Sequence, residues 1–301
     1  MLNKRPIILV IGANGQVGWE LLRTLAPLGQ VIGADMPPFV GTTVNLAQPQ
    51  TLAAVLNAIK PNIVINAAAY TAVDRAEQER ELATTINATA VEKLGRLAAQ
   101  ANIPIIHYST DFVFAGDNTR PYLENDPTGP LSVYGQSKLE GEQALAASGA
   151  AYLLFRTSWV YGVRGNNFLL TMRRLFQARE EVRVVNDQIG SPTWSRSLAE
   201  VTAQVVGRVL HGEVNVPTVQ GIYNVTGGGY TTWYGFAQAI HQHFGYKCRL
   251  VPISTQDYPT PARRPAYSVL DNSKLEQVFG LALPNWQEMV EQCSRDLGSY
   301  L

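Results

Sequence analysis

The sequence has few of the features that mark secreted, membrane or metal-scaffold proteins. Its 301 residues include only two cysteines, Cys248 and Cys293, and neither lies in a CxxC or Cys/His spacing. We therefore expect neither a disulfide scaffold nor a zinc site, but two ordinary thiols in a reducing compartment. No segment approaches the roughly 18 apolar residues of a membrane span. The apolar run Ile7–Ile11 is also shorter than a secretory signal core of about 7–15 residues, so we expect a soluble, cytoplasmic protein.

Charge is also scarce, and neither sign dominates. Lys and Arg number 24, Asp and Glu also number 24, and charged residues make up 16% of the chain. A protein that follows a phosphate backbone needs a net positive surface, so nucleic-acid binding is not expected. Because 46% of the residues are hydrophobic, long disordered stretches are not expected either. The length fits one large domain or two interlocked domains of roughly 100–200 residues each.

Short apolar runs alternate with helical patterns through the first half of the chain. The runs predict strands, and the apolar stripes between them predict helices. Strands are predicted at Ile7–Ile11, Val31–Ala34, Ile63–Asn66, Ile103–Tyr108 and Tyr152–Arg156, and helices at Val17–Leu28, Thr51–Ile59, Glu81–Ala101 and Gly135–Ala147. This alternation indicates an α/β protein with a Rossmann-type, doubly wound parallel sheet.

The second half of the chain has a less regular pattern. Helices are predicted at Phe168–Gln177, Leu198–Leu210 and Trp233–Phe244, and four prolines predict irregular structure across Val251–Pro265. We expect a larger domain over residues 1–162, rejoined by about 181–225. Residues 163–180 and 226–301 are expected to form a smaller C-terminal α/β lobe that binds the substrate.

A glycine-rich turn separates the first predicted strand from the first predicted helix. In Gly12-Ala13-Asn14-Gly15-Gln16-Val17-Gly18, Gly12 allows a tight exit from the strand, and Gly15 lets the backbone approach a pyrophosphate. Gly18 lets the helix pack on the sheet. The N–H groups at the helix start would bind the phosphates. The alternative is a purely structural turn, but the strand–turn–helix context favours a dinucleotide site in the domain over residues 1–162.

Two further segments belong to the predicted cofactor site. Asp35 ends the second strand, where a carboxylate accepts hydrogen bonds from the adenosine ribose and disfavours a 2′-phosphate. No Lys or Arg lies in the glycine turn, so NADH is expected to bind at least as well as NADPH. Ala67, Ala68 and Ala69 follow the third strand, where small side chains let a dinucleotide lie close to the backbone. Tight packing of a helix on the strand would favour alanine equally.

A tyrosine and a lysine four residues apart form the most informative pair. Tyr134 and Lys138 begin a predicted helix and so share one face. A nearby ammonium favours the phenolate, which would bring the Tyr134 pKa closer to neutral. Ser109 and Thr110 end the strand Ile103–Tyr108, at the sheet edge where ligands bind. A hydroxyl, a tyrosine and a lysine beside a dinucleotide suit carbonyl reduction or alcohol oxidation.

These motifs together resemble the extended short-chain dehydrogenase/reductase family. Within it the chain is similar to the dTDP-4-dehydrorhamnose reductase family, on blocks that span nearly the whole chain in order. The blocks are Gly15–Gly18, Asn66–Asp74, Tyr108–Phe114, Arg156–Tyr161, Gly165–Phe168, Asn186–Gln188, Ser191–Thr193, Tyr258–Pro261 and Arg264–Pro265. The resemblance implies reduction of the C4 ketone of a dTDP-linked 4-keto-6-deoxy sugar, dTDP-4-dehydro-L-rhamnose, to dTDP-L-rhamnose with NADPH or NADH.

The resemblance also implies a role for each site residue. Tyr134 would donate the proton to the sugar oxygen, Lys138 would tune Tyr134 and bind the nicotinamide ribose, and Thr110 would hydrogen-bond the reacting carbonyl. Trp159 would pack its indole on the sugar ring, with burial in the core as the alternative. Further cofactor contacts are expected from Gln16, Val17 and Ser109, and substrate contacts from Thr71, Val73, Asp111 and Asn167, with Arg264 facing the diphosphate by charge complementarity.

The chain departs from the family pattern at two places. Asn45 and Leu46 lie where relatives have an aspartate followed by an apolar residue near the adenine, so a base contact by Asn45 would be weaker. Some family members form a dimer bridged by magnesium through glutamates. Glu20 matches one such position, but Arg196 replaces a second, and an arginine cannot ligate a cation. We expect no bridging metal and either a monomer or a different dimer, acting after a 3,5-epimerase.

Two other functions remain open from the sequence. One is a related nucleotide-sugar epimerase or dehydratase, which returns the hydride within one turnover and consumes no reduced cofactor. The other is a non-catalytic, dinucleotide-binding regulatory subunit. Loss of Tyr134 or Lys138 would favour the latter, but both residues are present.

Overall fold

A computed structural model describes residues 5–38 and 42–299. Its strands are β1 (Ile7–Ile11), β2 (Gln30–Ala34), β3 (Ile63–Asn66), β4 (Ile105–Thr110), β5 (Tyr152–Thr157), β6 (Val160–Tyr161), β7 (Glu181–Val185), β8 (Ile189–Gly190), β9 (Thr193–Trp194), β10 (Gly221–Asn224), β11 (Thr231–Thr232) and β12 (Arg249–Ile253). Six of them form one parallel sheet in the order β10-β5-β4-β3-β1-β2. The predicted Rossmann-type, doubly wound sheet is confirmed.

Helices cover both faces of this sheet. They are α1 (Gln16–Thr24), α2 (Leu52–Ile59), α3 (Val73–Ala76), α4 (Arg80–Thr84), α5 (Ala90–Ala101), α6 (Val133–Ala146), α7 (Phe168–Ala178), α8 (Ser195–Leu210), α9 (Val216–Val219), α10 (Trp233–Phe244), α11 (Ser273–Phe279) and α12 (Trp286–Ser299). Because side chains alternate along a strand, β1 serves two cores: Ile8 and Val10 belong to one apolar cluster, Leu9 and Ile11 to the other. This explains why the strands are continuous apolar runs.

The order of the strands reverses at β1: β2 is added on one side of β1, and β3 and the strands after it are added on the other side. In a parallel sheet this switch point leaves a crevice at the carboxyl ends of the strands, where ligands bind. The turn after β1 and the loop after β3 therefore face the same crevice.

The long helix predicted at Glu81–Ala101 is interrupted by a π-helical turn, Thr85–Thr89. Within this turn the Asn87 side-chain oxygen accepts from the Tyr70 N–H at 2.8 Å. The Asn87 side-chain nitrogen donates to the Tyr70 C=O at 3.1 Å and to the Ser137 hydroxyl of α6 at 3.0 Å. A Cβ on Gly141 of α6 would lie 2.0 Å from the Asn87 carbonyl oxygen. The π-helical turn thus links α6 to the segment that follows β3.

Three two-stranded pairs lie outside the six-stranded sheet, β6 with β9, β8 with β11 and β7 with β12. The prediction of irregular structure across Val251–Pro265 is wrong at its start, because β12 includes Pro252, paired in register with Val184. A proline is tolerated there because β12 has only one neighbour and is an edge strand. The segment predicted to rejoin the large sheet, 181–225, divides: β10 pairs with β5, whereas β7 stays with β12.

A buried ion pair ties α6 to β5. The Arg156 guanidinium donates to both Glu142 carboxylate oxygens, at 2.9 and 2.6 Å, and to the Glu124 carbonyl oxygen at 3.0 Å. Only 3% of the Arg156 side chain and 2% of the Glu142 side chain are exposed. The Phe114 ring lies 5.0 Å from the guanidinium carbon.

Across residues 5–38 and 42–299, every helix is too short or too polar to cross a membrane.

Candidate active site

The glycine turn fits the backbone geometry that a dinucleotide requires. Gly12 has a φ of +86°, and a Cβ there would lie 2.5 Å from the Ala68 amide nitrogen. A Cβ on Gly18 would lie 2.0 Å from the Gly12 carbonyl oxygen. A Cβ on Gly15 would meet only that same oxygen, at 3.2 Å, so its remaining surroundings are open. The turn and the loop Ala67–Ala69 therefore abut at the crevice.

The start of α1 has no side-chain cap, because Gly15 occupies the N-cap position. The amides of Gln16, Val17 and Gly18 form the first turn of the helix and can donate to a pyrophosphate. The Gln16 side chain points elsewhere: its Oε1 accepts from Asn167 Nδ2 at 2.9 Å.

The Asp35 carboxylate lies beside the glycine turn. Its Oδ2 accepts from the Asn14 N–H and its Oδ1 from the Met36 N–H, both at 2.7 Å. Each carboxylate oxygen retains acceptor capacity for a ribose hydroxyl. The next side chain, Met36, is 57% exposed and carries no charge that would attract a 2′-phosphate.

We expect the Asp35 charge to set the cofactor preference. In Asp35→Asn one amide oxygen can still accept from the Asn14 N–H, but the negative charge beside the 2′ position is lost. The ratio of NADPH to NADH affinity should rise roughly tenfold, which corresponds to about 1.4 kcal/mol. Fluorescence titrations of both reduced cofactors measure this ratio. An unchanged ratio would show that Asp35 does not face the 2′ position.

Asn45 and Leu46, predicted near the adenine, are engaged within the protein. The Asn45 Oδ1 accepts from the Ala47 N–H at 3.0 Å, which closes a local turn. Leu46 is 5% exposed and belongs to one of the two apolar clusters of the sheet. Asn45 therefore has less free acceptor capacity for a base than the sequence alone indicates.

The hydroxyls of Tyr134 and Thr110 meet at the carboxyl end of β4. Ser132 caps α6 by accepting from the Gly135 N–H at 3.2 Å, which puts Tyr134 in the first turn. The Tyr134 ring packs edge-on against Phe112, with centroids 5.6 Å apart. Thr110 is the last residue of β4; its Oγ1 donates to Asp111 Oδ1 at 3.0 Å and accepts from the Phe112 N–H at 3.2 Å.

The electrostatics keep Tyr134 protonated. Burial raises the pKa of Tyr134 to about 12; the hydrogen bond with Thr110 opposes this rise and the Asp111 charge adds to it. The sequence argument that Lys138 lowers the Tyr134 pKa is not met, because the lysine bonds to β4 instead of the phenol. At neutral pH Tyr134 therefore carries the proton that a donor must supply, although its pKa lies well above the operating pH at which a general acid is most effective.

Lys138 lies under the crevice with 2% of its surface exposed. Its Nζ donates to the Tyr108 carbonyl oxygen at 2.7 Å and lies 3.5 Å from His107 Nε2. Burial lowers the pKa of Lys138 to about 8, and the Glu142 carboxylate opposes this shift. The ammonium is thus the main form at neutral pH but is easily lost above it.

Several buried polar atoms at the ends of β4 and β5 have no hydrogen-bond partner among the described residues. They are Ser109 Oγ, Asp111 Oδ2 and Thr157 Oγ1. Thr110 and Thr157 are register partners on adjacent strands, so Thr157 Oγ1 lies near Thr110, whereas Ser109 points to the opposite face of the sheet. Buried polar groups are normally paired, and this set therefore indicates a place for a polar ligand.

Asp111 is 1% exposed, and burial raises its pKa to about 6, although the Ser268 and Thr110 hydroxyls oppose the rise. An unfolded aspartate has a pKa of about 3.9. The folded state therefore favours the protonated acid; this stabilisation is complete below pH of about 4 and is lost as the pH rises through about 6.

Asp111→Asn is accordingly expected to raise the free energy of unfolding at pH values above that window, by about 1–3 kcal/mol. Near pH of about 4, where the native carboxyl is already neutral, the same change should have little effect. Urea unfolding at the two pH values measures the difference, with Asp117→Asn, at an exposed carboxylate, as the control. Equal effects at both pH values would contradict the shifted titration.

Trp159 packs against Trp233 and Gly190. Its indole stacks on Trp233 with centroids 3.6 Å apart and planes 6° from parallel. A Cβ on Gly190 would lie 2.4 Å from the indole. Trp159 also has a φ of +46°, which is rare for a non-glycine residue and requires support from such contacts. The indole is part-buried, so both predicted roles, packing and sugar contact, remain compatible with its position.

The other predicted substrate residues differ in how free they are. Thr71 is exposed and Val73 half-buried. Asn167 caps α7 by accepting from the Leu170 N–H at 3.0 Å, and its Nδ2 also donates to Gln16, so its polar atoms are engaged. Arg264 pairs with Asp74, with an N–O distance of 2.8 Å. A diphosphate would have to share or displace this carboxylate.

Arg196 occupies the place where a bridging cation was considered. Its Nε lies 3.4 Å from Glu20 Oε2, and its Nη1 contacts the Asp296 carboxylate. Within the described ranges no three His, Cys, Asp or Glu side chains are grouped so that they could hold a metal ion. The guanidinium supplies positive charge at this place, where a bridging cation would otherwise have to bind.

Sequence reasoning missed four residues that support the site. Asn66 and His107 lie behind Lys138, Asn87 holds α6, and Trp233 stacks on Trp159. Asn66 begins the block Asn66–Asp74 and His107 directly precedes the block Tyr108–Phe114, and this position was the available signal. The sequence contains no signal for Asn87 or Trp233, because their partners are distant in sequence.

The fold and the site together define a dinucleotide-dependent oxidoreductase of the extended short-chain dehydrogenase/reductase type. Residues 6–299 match the family described as RmlD substrate binding domain. A dTDP-4-dehydrorhamnose reductase of Burkholderia thailandensis is 47% identical over 298 residues, which cover 96% of this chain and 98% of that protein. The chain belongs to the dTDP-4-dehydrorhamnose reductase family.

Solved structures of similar proteins show the same architecture. A dTDP-4-dehydrorhamnose reductase from Clostridium acetobutylicum has a TM-score of 0.89 and 36% identity, covering 97% of this chain and 99% of that one. The Bacillus anthracis reductase, solved in complex with NADP, has a TM-score of 0.88 and 34% identity, covering 97% and 99%.

Proposed function

We propose that the protein reduces the C4 ketone of dTDP-4-dehydro-L-rhamnose to dTDP-L-rhamnose with NADPH or NADH. The observation that carries this proposal is the position of Tyr134 and Thr110, whose hydroxyls meet at the crevice opened by the glycine turn. The family membership supplies the substrate, because the similar proteins from Burkholderia and Bacillus are reductases of this sugar nucleotide.

Each side chain has a different proposed role in the reduction. The bound reduced nicotinamide supplies the hydride. Tyr134, which is protonated at neutral pH, gives its proton to the sugar oxygen, so that a hydride and a proton together convert the ketone to the alcohol. Thr110 would hydrogen-bond the same oxygen after its hydroxyl turns away from Asp111. Lys138 would bind the nicotinamide ribose as an ammonium.

The cofactor is proposed to lie across the switch point. The backbone amides of Gln16, Val17 and Gly18 would bind the pyrophosphate. Gly12 and Gly15, whose own amides bond to Ala34 and Gly12 carbonyl oxygens, would shape the turn around it. Asp35 would accept from the adenosine ribose, with Asn45 and Leu46 near the base, and the loop Ala67–Ala69 together with Ser109 would line the far side. The unpartnered Ser109 hydroxyl supports its part in this set.

The sugar nucleotide is proposed to enter between the large domain and the smaller lobe. Thr71, Val73, Asp111, Trp159 and Asn167 are the proposed lining. Arg264 is proposed to face the diphosphate while it keeps its contact with Asp74. In this division residues 1–162, rejoined by about 181–225, form the dinucleotide-binding domain and also contribute Thr71, Val73, Asp111 and Trp159 to the sugar pocket, and residues 163–180 and 226–301 form the substrate lobe.

We further propose that the protein acts in the cytoplasm, after a 3,5-epimerase, as a monomer or a dimer without a bridging metal. The ion pairs of Arg196 with Glu20 and Asp296 support the last point. Sedimentation with and without magnesium tests it, and dimerisation that requires magnesium would contradict it.

The reaction is tested by its cofactor balance. Supplied with the 4-keto sugar nucleotide through its epimerase, the protein should consume one reduced nicotinamide for each product formed. Product without net cofactor consumption would instead identify an epimerase or dehydratase. Cofactor binding without any product would favour a regulatory subunit.

A further inference from the structure

A chain of buried polar side chains runs from Lys138 to the alanine loop. Lys138 Nζ lies 3.5 Å from His107 Nε2, and His107 Nδ1 lies 3.1 Å from Asn66 Nδ2. Asn66 Oδ1 accepts from the Ala68 N–H at 3.2 Å. Asn66 and His107 are each 1% exposed, and Lys138 is 2% exposed. No role in the proposed reaction has been assigned to Asn66 or His107 so far.

The direction of these hydrogen bonds determines which nitrogen of His107 carries the proton. The Ala68 N–H can only donate, so the atom of the Asn66 amide that faces it is the oxygen. The amide nitrogen therefore faces His107 Nδ1 and donates to it. Nδ1 is then an unprotonated acceptor, and the neutral ring carries its proton on Nε2. A doubly charged arrangement is disfavoured, because burial, together with the Lys138 charge, holds the pKa of His107 well below its usual value.

This tautomer turns an N–H toward Lys138. Two donors cannot hydrogen-bond each other, and the lysine donates instead to the Tyr108 carbonyl of the same strand, at 2.7 Å. The positive end of the N–H dipole disfavours an ammonium and favours a neutral amine beside it.

The other groups that face Lys138 act differently. Glu142 lies one helical turn after Lys138, and its negative charge favours the ammonium. The Glu142 carboxylate also forms an ion pair with Arg156 of β5. Tyr134, one turn back, is uncharged. His107 is therefore the polar side chain on β4 that opposes Glu142.

We propose that Asn66 and His107 are positioning residues for Lys138. Asn66 holds the His107 ring in the Nε2–H tautomer, and the ring keeps Nζ against the Tyr108 carbonyl and makes the lysine proton easier to release. The dyad thereby sets the pH above which the ammonium that binds the cofactor ribose is lost. Only this kinetic consequence rests on the proposed reductase function.

The tautomer is tested on the wild-type protein. Nitrogen NMR of the imidazole rings distinguishes protonation at Nε2 from protonation at Nδ1. The His107 signals are assigned among the four histidines as those missing from His107→Phe. We expect a neutral ring protonated at Nε2 throughout the neutral range. A ring protonated at Nδ1, or at both nitrogens, would overturn the proposal.

Asn66→Asp then reverses the hydrogen bonds without changing the size of the side chain. The carboxylate would accept from both the Ala68 N–H and His107, so the ring proton would move to Nδ1 and Nε2 would accept from Lys138. The midpoint of the Lys138 titration, followed by NMR of its side chain, should rise by about one pH unit or more, a tenfold change in proton affinity. The upper limb of the pH dependence of kcat/KM should move with it.

The control for the added negative charge is Asn66→Asp introduced into the His107→Phe variant. Without the ring, the introduced carboxylate acts on Lys138 through charge alone, and the upward shift should fall to less than half. An equal shift with and without His107 would overturn the proposal. Because both titrations are read by NMR, loss of the reductase function would leave this test intact, and a failed test would leave cofactor consumption unchanged.

Discussion

Tyr134→Phe is expected to lower kcat/KM for the 4-keto sugar by roughly 10²–10⁴ while cofactor affinity stays within a few fold. The change removes a hydroxyl that is protonated at neutral pH and lies beside Thr110, and it leaves the ring packed against Phe112. Steady-state consumption of reduced cofactor and a separate binding titration measure the two quantities.

The matched control is Tyr152→Phe. Tyr152 begins β5 at the opposite edge of the sheet from the crevice, so loss of its hydroxyl should leave kcat/KM unchanged. Full activity in Tyr134→Phe would show that another group donates the proton. A similar loss in both variants would show that the effect is structural.

Arg156→Met is expected to lower the free energy of unfolding by about 3–5 kcal/mol. The substitution leaves the Glu142 carboxylate buried without the two hydrogen bonds that now satisfy it. An unpaired buried charge is far more costly than the pair is stabilising, because desolvation is no longer compensated. Urea unfolding followed by tryptophan fluorescence measures the loss.

The double variant Arg156→Met with Glu142→Leu separates the two possible causes of that loss. If the cost comes from the stranded carboxylate, removal of both charges should restore most of the stability. If the double variant is as unstable as the single one, the loss comes from the contacts of Arg156 with Glu124 and Phe114. A loss below about 1 kcal/mol in the single variant would contradict the account of a buried charge.

The sheet was predictable because burial on both faces leaves a strong signal. In the strand Ile63–Asn66 the first three residues are apolar, since Ile63 and Ile65 enter one core and Val64 enters the other. The glycine turn was predictable for a related reason: Gly12 and Gly18 have no room for a side chain. A residue type that the local backbone or burial on both faces requires can be recognised from the sequence.

Features that depend on distant partners could not be predicted. The Glu81–Ala101 pattern does not reveal the π-helical turn, because that turn is held by Asn87 contacts with Tyr70 and Ser137. Pro252 reads as a strand breaker until the edge position of β12 is known. The Lys138 ammonium was expected beside Tyr134, but the Tyr108 carbonyl holds it, and no spacing in the sequence encodes that choice.

The central claim is that hydride from the nicotinamide and a proton from Tyr134 reach the same ketone. The most direct test uses reduced cofactor that carries deuterium at the transferable position, with product analysed by mass spectrometry and NMR. We predict one deuterium per product molecule, on the C4 carbon of the sugar. Tyr134→Phe should form far less product in the same time, and that product should carry the same label, because the variant loses the proton donor and keeps the hydride source. Product that forms without deuterium at C4 would contradict this prediction.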